Sequence, residues 1–243
     1  MIERTIDVPT LDGATTTFIT HPERGGPHPV ILFFMDAPAI REELRDMARR
    51  LASVGYYVML PNLYYRAGVM ELGALDVPEV RTTMFALMNG LSITNVMEDT
   101  DALLAFADAD AGAAKGPFGA VGYCMSGQFA INAAGRHPER AAAAASIYGV
   151  RLVTEEPDSP HLMAAKAQAE IYIACAETDH WAPPEMVADL SVAMALLGGR
   201  AEVEVYPGVE HGFAFPQRAA YDRDAAERHW ERLFALFARR LRD

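Results

Sequence analysis

Five short apolar runs constrain the fold of this chain more than any other feature. They are PVILFFM (29–35), YYVMLP (56–61), GPFGAVGY (116–123), AAAAASIYG (141–149) and EIYIACAE (170–177). Each is strand-sized and apolar on alternate and intervening positions alike, the pattern of a parallel-sheet strand buried on both faces. Segments with helical spacing separate them: about 40–54, with Leu44, Met47, Ala48 and Leu51 on one face, then 78–90, 92–110, 125–137, 183–198 and 217–241. Strand–helix alternation of this kind predicts an α/β fold, a mostly parallel central sheet with helices on both faces. TTTFIT (15–20) adds an early antiparallel strand and AEVEVYPG (201–208) a late alternating one, while 61–78 reads as a loop. Without repeats, low-complexity tracts or a Ser/Gly linker, residues 1–243 are expected to form a single domain.

The chain has 243 residues, 51% of them hydrophobic, which is ample for a large core. Its net charge of −12 is a poor match for nucleic acid or an anionic membrane surface. It suits a small-molecule partner instead. No apolar stretch approaches the roughly 20 residues that span a bilayer, and no basic segment followed by an apolar run marks a signal peptide. Cys124 and Cys175 lie in separate apolar contexts, so free thiols, a reducing compartment and a cytoplasmic location are expected. No Cys/His pair has metal-ligand spacing, and no glycine loop has the form of a phosphate cradle, so no metal or cofactor is expected.

GAVGYCMSGQFA (119–130) carries the chemistry. A strand running into a helix through small-x-nucleophile-x-small is a nucleophile elbow, in which the flanking side chains must be small to avoid collision. Gly122, Cys124 and Ser126 fill the three places. Centring the pattern on Ser126 would put Gln128 in a small-residue position, so Cys124 fits better. The alternative for Cys124 is a small buried thiol. A helix expected to begin at Met125 would favour a thiolate through its N-terminus, and the Met125 N–H would face a developing oxyanion. On this architecture the acid follows a later strand and the base follows the last one. AETDHWAP supplies Asp179, with Glu177 as a competitor, and PGVEHGFA supplies His211. His21 and His28 precede the core sheet, His137 ends the elbow helix and His161 precedes a strand. His180 adjoins the acid, and His229 is expected at a helix surface. Cys175 reads as packing.

Together, PVILFFMDAPAI, GYYVMLPNLYYR, GAVGYCMSGQFA, AETDHWAP and PGVEHGFA make the chain resemble the dienelactone hydrolase family of α/β-hydrolases. The resemblance spans most of the sequence. It implies hydrolysis of an ester or lactone with Cys124 as nucleophile, His211 as base and Asp179 as its orienting acid, with residues 61–110 covering the active-site side. It also implies a proton-accepting role for the acid after the first core strand, here Asp36, and a second oxyanion donor in the Ala37 N–H. The best-known members have glutamate where this chain has Asp36, which reaches one methylene less; the other reading of Asp36 is a helix cap. Family members bind a substrate carboxylate with arginines. Phe215 stands where one would be, and Arg81 is either the other or a solvated helix residue. A neutral ester or lactone is therefore the expected substrate, with Tyr64, Met84, Met88, Tyr123, Trp181 and Phe213 as pocket lining or core. Two other classes stay open. A binding protein on this scaffold would need neither Asp179 nor His211, and a redox-active Cys124 would need an accessible resolving cysteine.

Overall fold

A computed structural model describes residues 1–242 of the chain. By its internal contacts it divides into two compact units, residues 1–116 and 117–243.

In the first unit four strands lie in the order β1 (Ile2–Thr10), β2 (Gly13–His21), β4 (Tyr57–Pro61) and β3 (His28–Phe34). β1/β2 and β2/β4 are antiparallel and β3/β4 is parallel. The apolar runs in β3 and β4 are buried almost throughout, as the sequence predicts. Helix α1 (Glu42–Ser53) buries Leu44, Met47, Ala48 and Leu51. β1 was not expected. It alternates Ile6 and Val8 with charged and polar neighbours and pairs on one side only, so it lacks the continuous apolar run that marks its neighbours. The segment 61–78 is irregular apart from a 3₁₀ turn at Tyr65–Ala67, and α2 (Pro78–Asn89) and α3 (Ile93–Ala109) follow where helical spacing placed them. Ser92 caps α3 by accepting from the Asn95 N–H.

In the second unit β5 (Ala113–Tyr123), β6 (Ala141–Ile147), β7 (Glu170–Thr178) and β8 (Ala201–Glu210) lie in sequential order, and every neighbouring pair is parallel. Sequential parallel order puts the C-terminal ends of all four strands on one edge, where their loops can converge. Helices α4 (Gly127–Arg136), α5 (Pro160–Lys166), α6 (Pro184–Ala195) and α7 (Arg223–Leu241) complete the unit.

Two helix starts differ from expectation. The chain leaves β5 through a 3₁₀ turn, Cys124–Ser126, so the α-helix begins at Gly127 rather than Met125. α7 begins at Arg223 rather than 217, because the Asp222 carboxylate caps the Ala225 N–H and fixes the first turn there. His229 is fully buried, not at the surface. It lies four residues before Leu233 and eight before Phe237, on the stripe that faces the core. Among the described residues no helix is long and apolar enough to cross a membrane.

Candidate active site

The turn after β5 holds Cys124 at φ +55°, in the left-handed region. A non-glycine residue there costs about 1–3 kcal/mol and persists only where its surroundings impose it. Packing imposes it here. A Cβ on Gly122 would lie 2.0 Å from the Ser126 carbonyl oxygen, and one on Gly127 would lie 2.2 Å from Ser146 Oγ and 2.6 Å from Gly149 Cα. Both positions admit only glycine, so strand, turn and helix close tightly around the cysteine. The Cys124 carbonyl accepts from the N–H groups of Gly127 and Val150, the latter at 3.2 Å, which ties the turn to the loop after β6. Cys124 itself is partly exposed, whereas Cys175 is buried and its thiol is pushed up to about 12 by burial first and the Asp179 charge second. The two cysteines thus differ as expected: one accessible on a strained turn, one packed mid-strand.

Asp179 and His211 come together across β7 and β8. His211 Nδ1–H donates to Asp179 Oδ2 at 2.7 Å, and the carboxylate is fully buried. Asp179 Oδ1 accepts the N–H groups of Trp181 (2.8 Å) and Ala182 (3.2 Å), so one oxygen anchors the turn and the other orients the imidazole. Glu177, the competing acid, is engaged elsewhere: its Oε2 accepts the Gly208 N–H at 2.8 Å. Cys124 is near enough to the His211 ring to bear on its protonation. Burial pushes the imidazole down, but the hydrogen bonds and charges of Asp179 and Cys124 outweigh it and raise it to about 9. This direction favours the imidazolium.

The other site candidates divide. Met125 is buried in the 3₁₀ turn next to Cys124. Tyr123, Phe213 and Phe215 are fully buried and pack against Tyr148, so they form the floor under His211 rather than a solvent-facing lining. The physical reason is strand-end geometry. Tyr123 points into the sheet's helix layer, where its hydroxyl donates to His229 Nε2 at 3.1 Å while His229 Nδ1–H donates to the Ala226 carbonyl. Trp181 is half exposed.

In the first unit Asp36 is fully buried and meets Arg41 through two hydrogen bonds, 2.6 and 3.2 Å; Arg41 also bonds Glu43. It is therefore an ion-pair partner within its own turn and caps no helix: the first residue before α1 has no side-chain cap. Ala37 is buried there, and its carbonyl accepts from the Tyr64 hydroxyl at 2.9 Å. Tyr64 is buried, lining a cavity of about 420 Å³ together with Leu63, Leu87 and Leu91. Met84 is buried, and Arg81 is exposed on α2.

Sequence reasoning missed Tyr148. It follows an alanine-rich strand with no motif around it, yet it adopts φ +37° and sets its ring edge-on to His211, centroids 5.0 Å apart. Its only sequence signal is position, at the C-terminal end of a buried strand beside the elbow strand.

Comparison with known proteins agrees with this fold. A protein from Methylorubrum extorquens named "Putative carboxymethylenebutenolidase" is 28% identical over 237 residues, covering 96% of this chain and 79% of its own length. Among solved structures, a dienelactone hydrolase-like promiscuous phosphotriesterase from metagenomic libraries superposes with a TM-score of 0.81 at 18% identity, covering 98% of each chain. The dienelactone hydrolase of Anabaena variabilis gives 0.71 at 16%, covering 99% of each. These likenesses show the α/β-hydrolase fold. The family model of the dienelactone hydrolases matches residues 15–241, nearly the whole length and every loop described above, and the chain belongs to the dienelactone hydrolase family.

Proposed function

We propose that the protein hydrolyses a carboxylic ester or lactone with Cys124 as its nucleophile. The observation that carries this reading is the His211 imidazole, held by Asp179 at 2.7 Å beside the left-handed Cys124, whose proximity raises the imidazole further. The Cys124 thiolate attacks the carbonyl carbon, a C–S bond forms, and the C=O electron pair moves to oxygen, where the Met125 N–H receives it. The C–O bond to the leaving group breaks, and the His211 imidazolium gives its proton to the departing alkoxide. The thioester is then hydrolysed: His211 takes a proton from water, hydroxide adds to the carbonyl, the C–S bond breaks, and acid and thiolate are restored. Asp179 keeps the imidazole in register throughout.

The Methylorubrum relative's name points to a lactone bearing a carboxylate. Phe215, apolar and buried, offers no charge to such a group, which favours a neutral ester or lactone. The test is hydrolysis of p-nitrophenyl acetate and of a dienelactone by the wild-type protein and by Cys124→Ala. Turnover of the neutral ester that disappears in the variant is expected. Turnover that persists in Cys124→Ala refutes the cysteine as nucleophile.

A further inference from the structure

The segment Tyr148–Arg151 is the most strained stretch of the second unit after the elbow itself. Both its ends are left-handed without being glycine, Tyr148 at φ +37° and Arg151 at φ +56°. Between them Gly149 approaches Gly127 so closely that a Cβ would meet Gly127 Cα at 3.2 Å, and the Val150 N–H donates to the Cys124 carbonyl. The Tyr148 N–H, in turn, donates to the Ala174 carbonyl at 2.7 Å, extending the β6–β7 ladder by one residue before the chain turns. The backbone of this segment is therefore pinned to the nucleophile turn on one side and to β7 on the other. The Tyr148 ring is buried and lies edge-to-face on His211 at 5.0 Å, on Phe213 at 5.2 Å and near Tyr123 and Phe215 at 5.9 and 6.0 Å.

We propose that Tyr148 is a positioning residue for His211: its ring, locked by the strained 148–151 turn, holds the imidazole at the angle that faces Cys124. This rests on the proposed role of His211 and adds a fourth strand end to it. Asp179 fixes one ring nitrogen, but a bond at one edge of the ring leaves its plane unset. A second, lateral contact is needed to fix the plane, and the edge of an aromatic ring five ångströms away provides one.

The roles of ring and hydroxyl separate by substitution. Tyr148→Phe keeps the ring, and Tyr148→Leu removes it while keeping apolar volume. Phe118→Leu, in the buried start of β5, serves as a destabilised control. Two quantities are read on each folded variant: the pH dependence of Cys124 alkylation by iodoacetamide, and kcat and KM for p-nitrophenyl acetate. For Tyr148→Leu the alkylation profile is expected to move toward higher pH, with kcat down at least tenfold and KM within twofold; Tyr148→Phe should restore both to near wild type, and Phe118→Leu should lose melting temperature without moving the profile. An unmoved profile with unchanged kcat in Tyr148→Leu overturns the proposal, as does an equal change in Phe118→Leu. If wild-type and Cys124→Ala hydrolyse the ester alike, the reading of the site fails instead, and the alkylation profile still decides whether Tyr148 acts on the thiol–imidazole pair.

Discussion

Adding one methyl group at Gly122 should cost this protein both stability and turnover, for a single geometric reason. The new Cβ would sit 2.0 Å from the Ser126 carbonyl oxygen and 2.5 Å from its carbon, and such contacts do not form below 3.0 Å, so the turn must open by at least 1.0 Å. The obstructing atoms are backbone, so no side chain can swing away. Overpacking that side chains absorb costs about 1–3 kcal/mol; here the upper end of that range is expected, about 3 kcal/mol, or a fall of about 6–12 °C in melting temperature for a chain of this size. The displaced carbonyl belongs to the turn that holds Cys124, so opening it also shifts the sulfur from His211, and a shift near 1 Å costs about a hundredfold in rate. Gly135→Ala is the matched control. Its Cβ would meet the Met163 carbonyl oxygen at 2.5 Å, again backbone, but at the far end of α4. Thermal unfolding by circular dichroism and kcat/KM for p-nitrophenyl acetate, both on the folded variants, make the comparison. Both variants should melt early, and only Gly122→Ala should lose turnover. Full activity in folded Gly122→Ala, or an equal loss in Gly135→Ala, would refute the link between the elbow's closeness and its chemistry.

Glycine should be the better non-nucleophilic replacement at position 124. The left-handed backbone costs alanine about 1–2 kcal/mol, against about 0.5–1 kcal/mol of extra chain entropy lost by glycine, so Cys124→Gly should equal or exceed Cys124→Ala in urea midpoint, and an alanine variant clearly the more stable would show the turn relaxes when the thiol is gone. His211 makes stability depend on pH. Its folded value of about 9 lies above the unfolded 6.5, so its contribution, on the order of 3 kcal/mol, is complete below pH 6.5 and is lost as pH rises through 9. Urea unfolding at pH 6 and pH 9.5 should show that loss in the wild type and a smaller one in Asp179→Asn; equal losses would mean Asp179 is not what holds the proton.

The parts of this fold legible in the sequence were those whose burial is continuous along the chain. β3, β4, β6 and β7 carry unbroken apolar runs because both faces of each strand are covered, and the elbow declares itself by two small residues flanking a cysteine at fixed spacing. β1 is half exposed and polar on one face, and α5 is only seven residues long, too short to display a helical period. The choice between Glu177 and Asp179 could not be settled from spacing, since both sit at the C-terminal end of β7; it is made by the Gly208 N–H, which occupies Glu177 from a strand some thirty residues away. His229 was legible and misread: it falls on the Leu233/Phe237 stripe, but a polar residue type was weighed above its period. Tyr148 was not legible, because what gives it a role is contact with rings from the end of β5 and from the loop after β8.

Those contacts also explain why strain gathers where it does. The left-handed non-glycine residues of the second unit are Cys124, Tyr148 and Arg151, all in the loops that leave the C-terminal ends of β5 and β6. Asp179 and His211 leave the ends of β7 and β8. The strands beneath are rigid because both faces are packed, and a rigid base lets adjoining residues be held in conformations they would not choose alone. Cys175, packed mid-strand, shows the other environment this unit offers a thiol: burial pushes it up to about 12. The strained turn instead lifts the sulfur to the imidazole. Substitutions that relieve it should therefore stabilise the chain and silence it together, and a screen for thermostable variants should collect changes at 124 and 151 only among proteins that no longer react with iodoacetamide or no longer turn over ester.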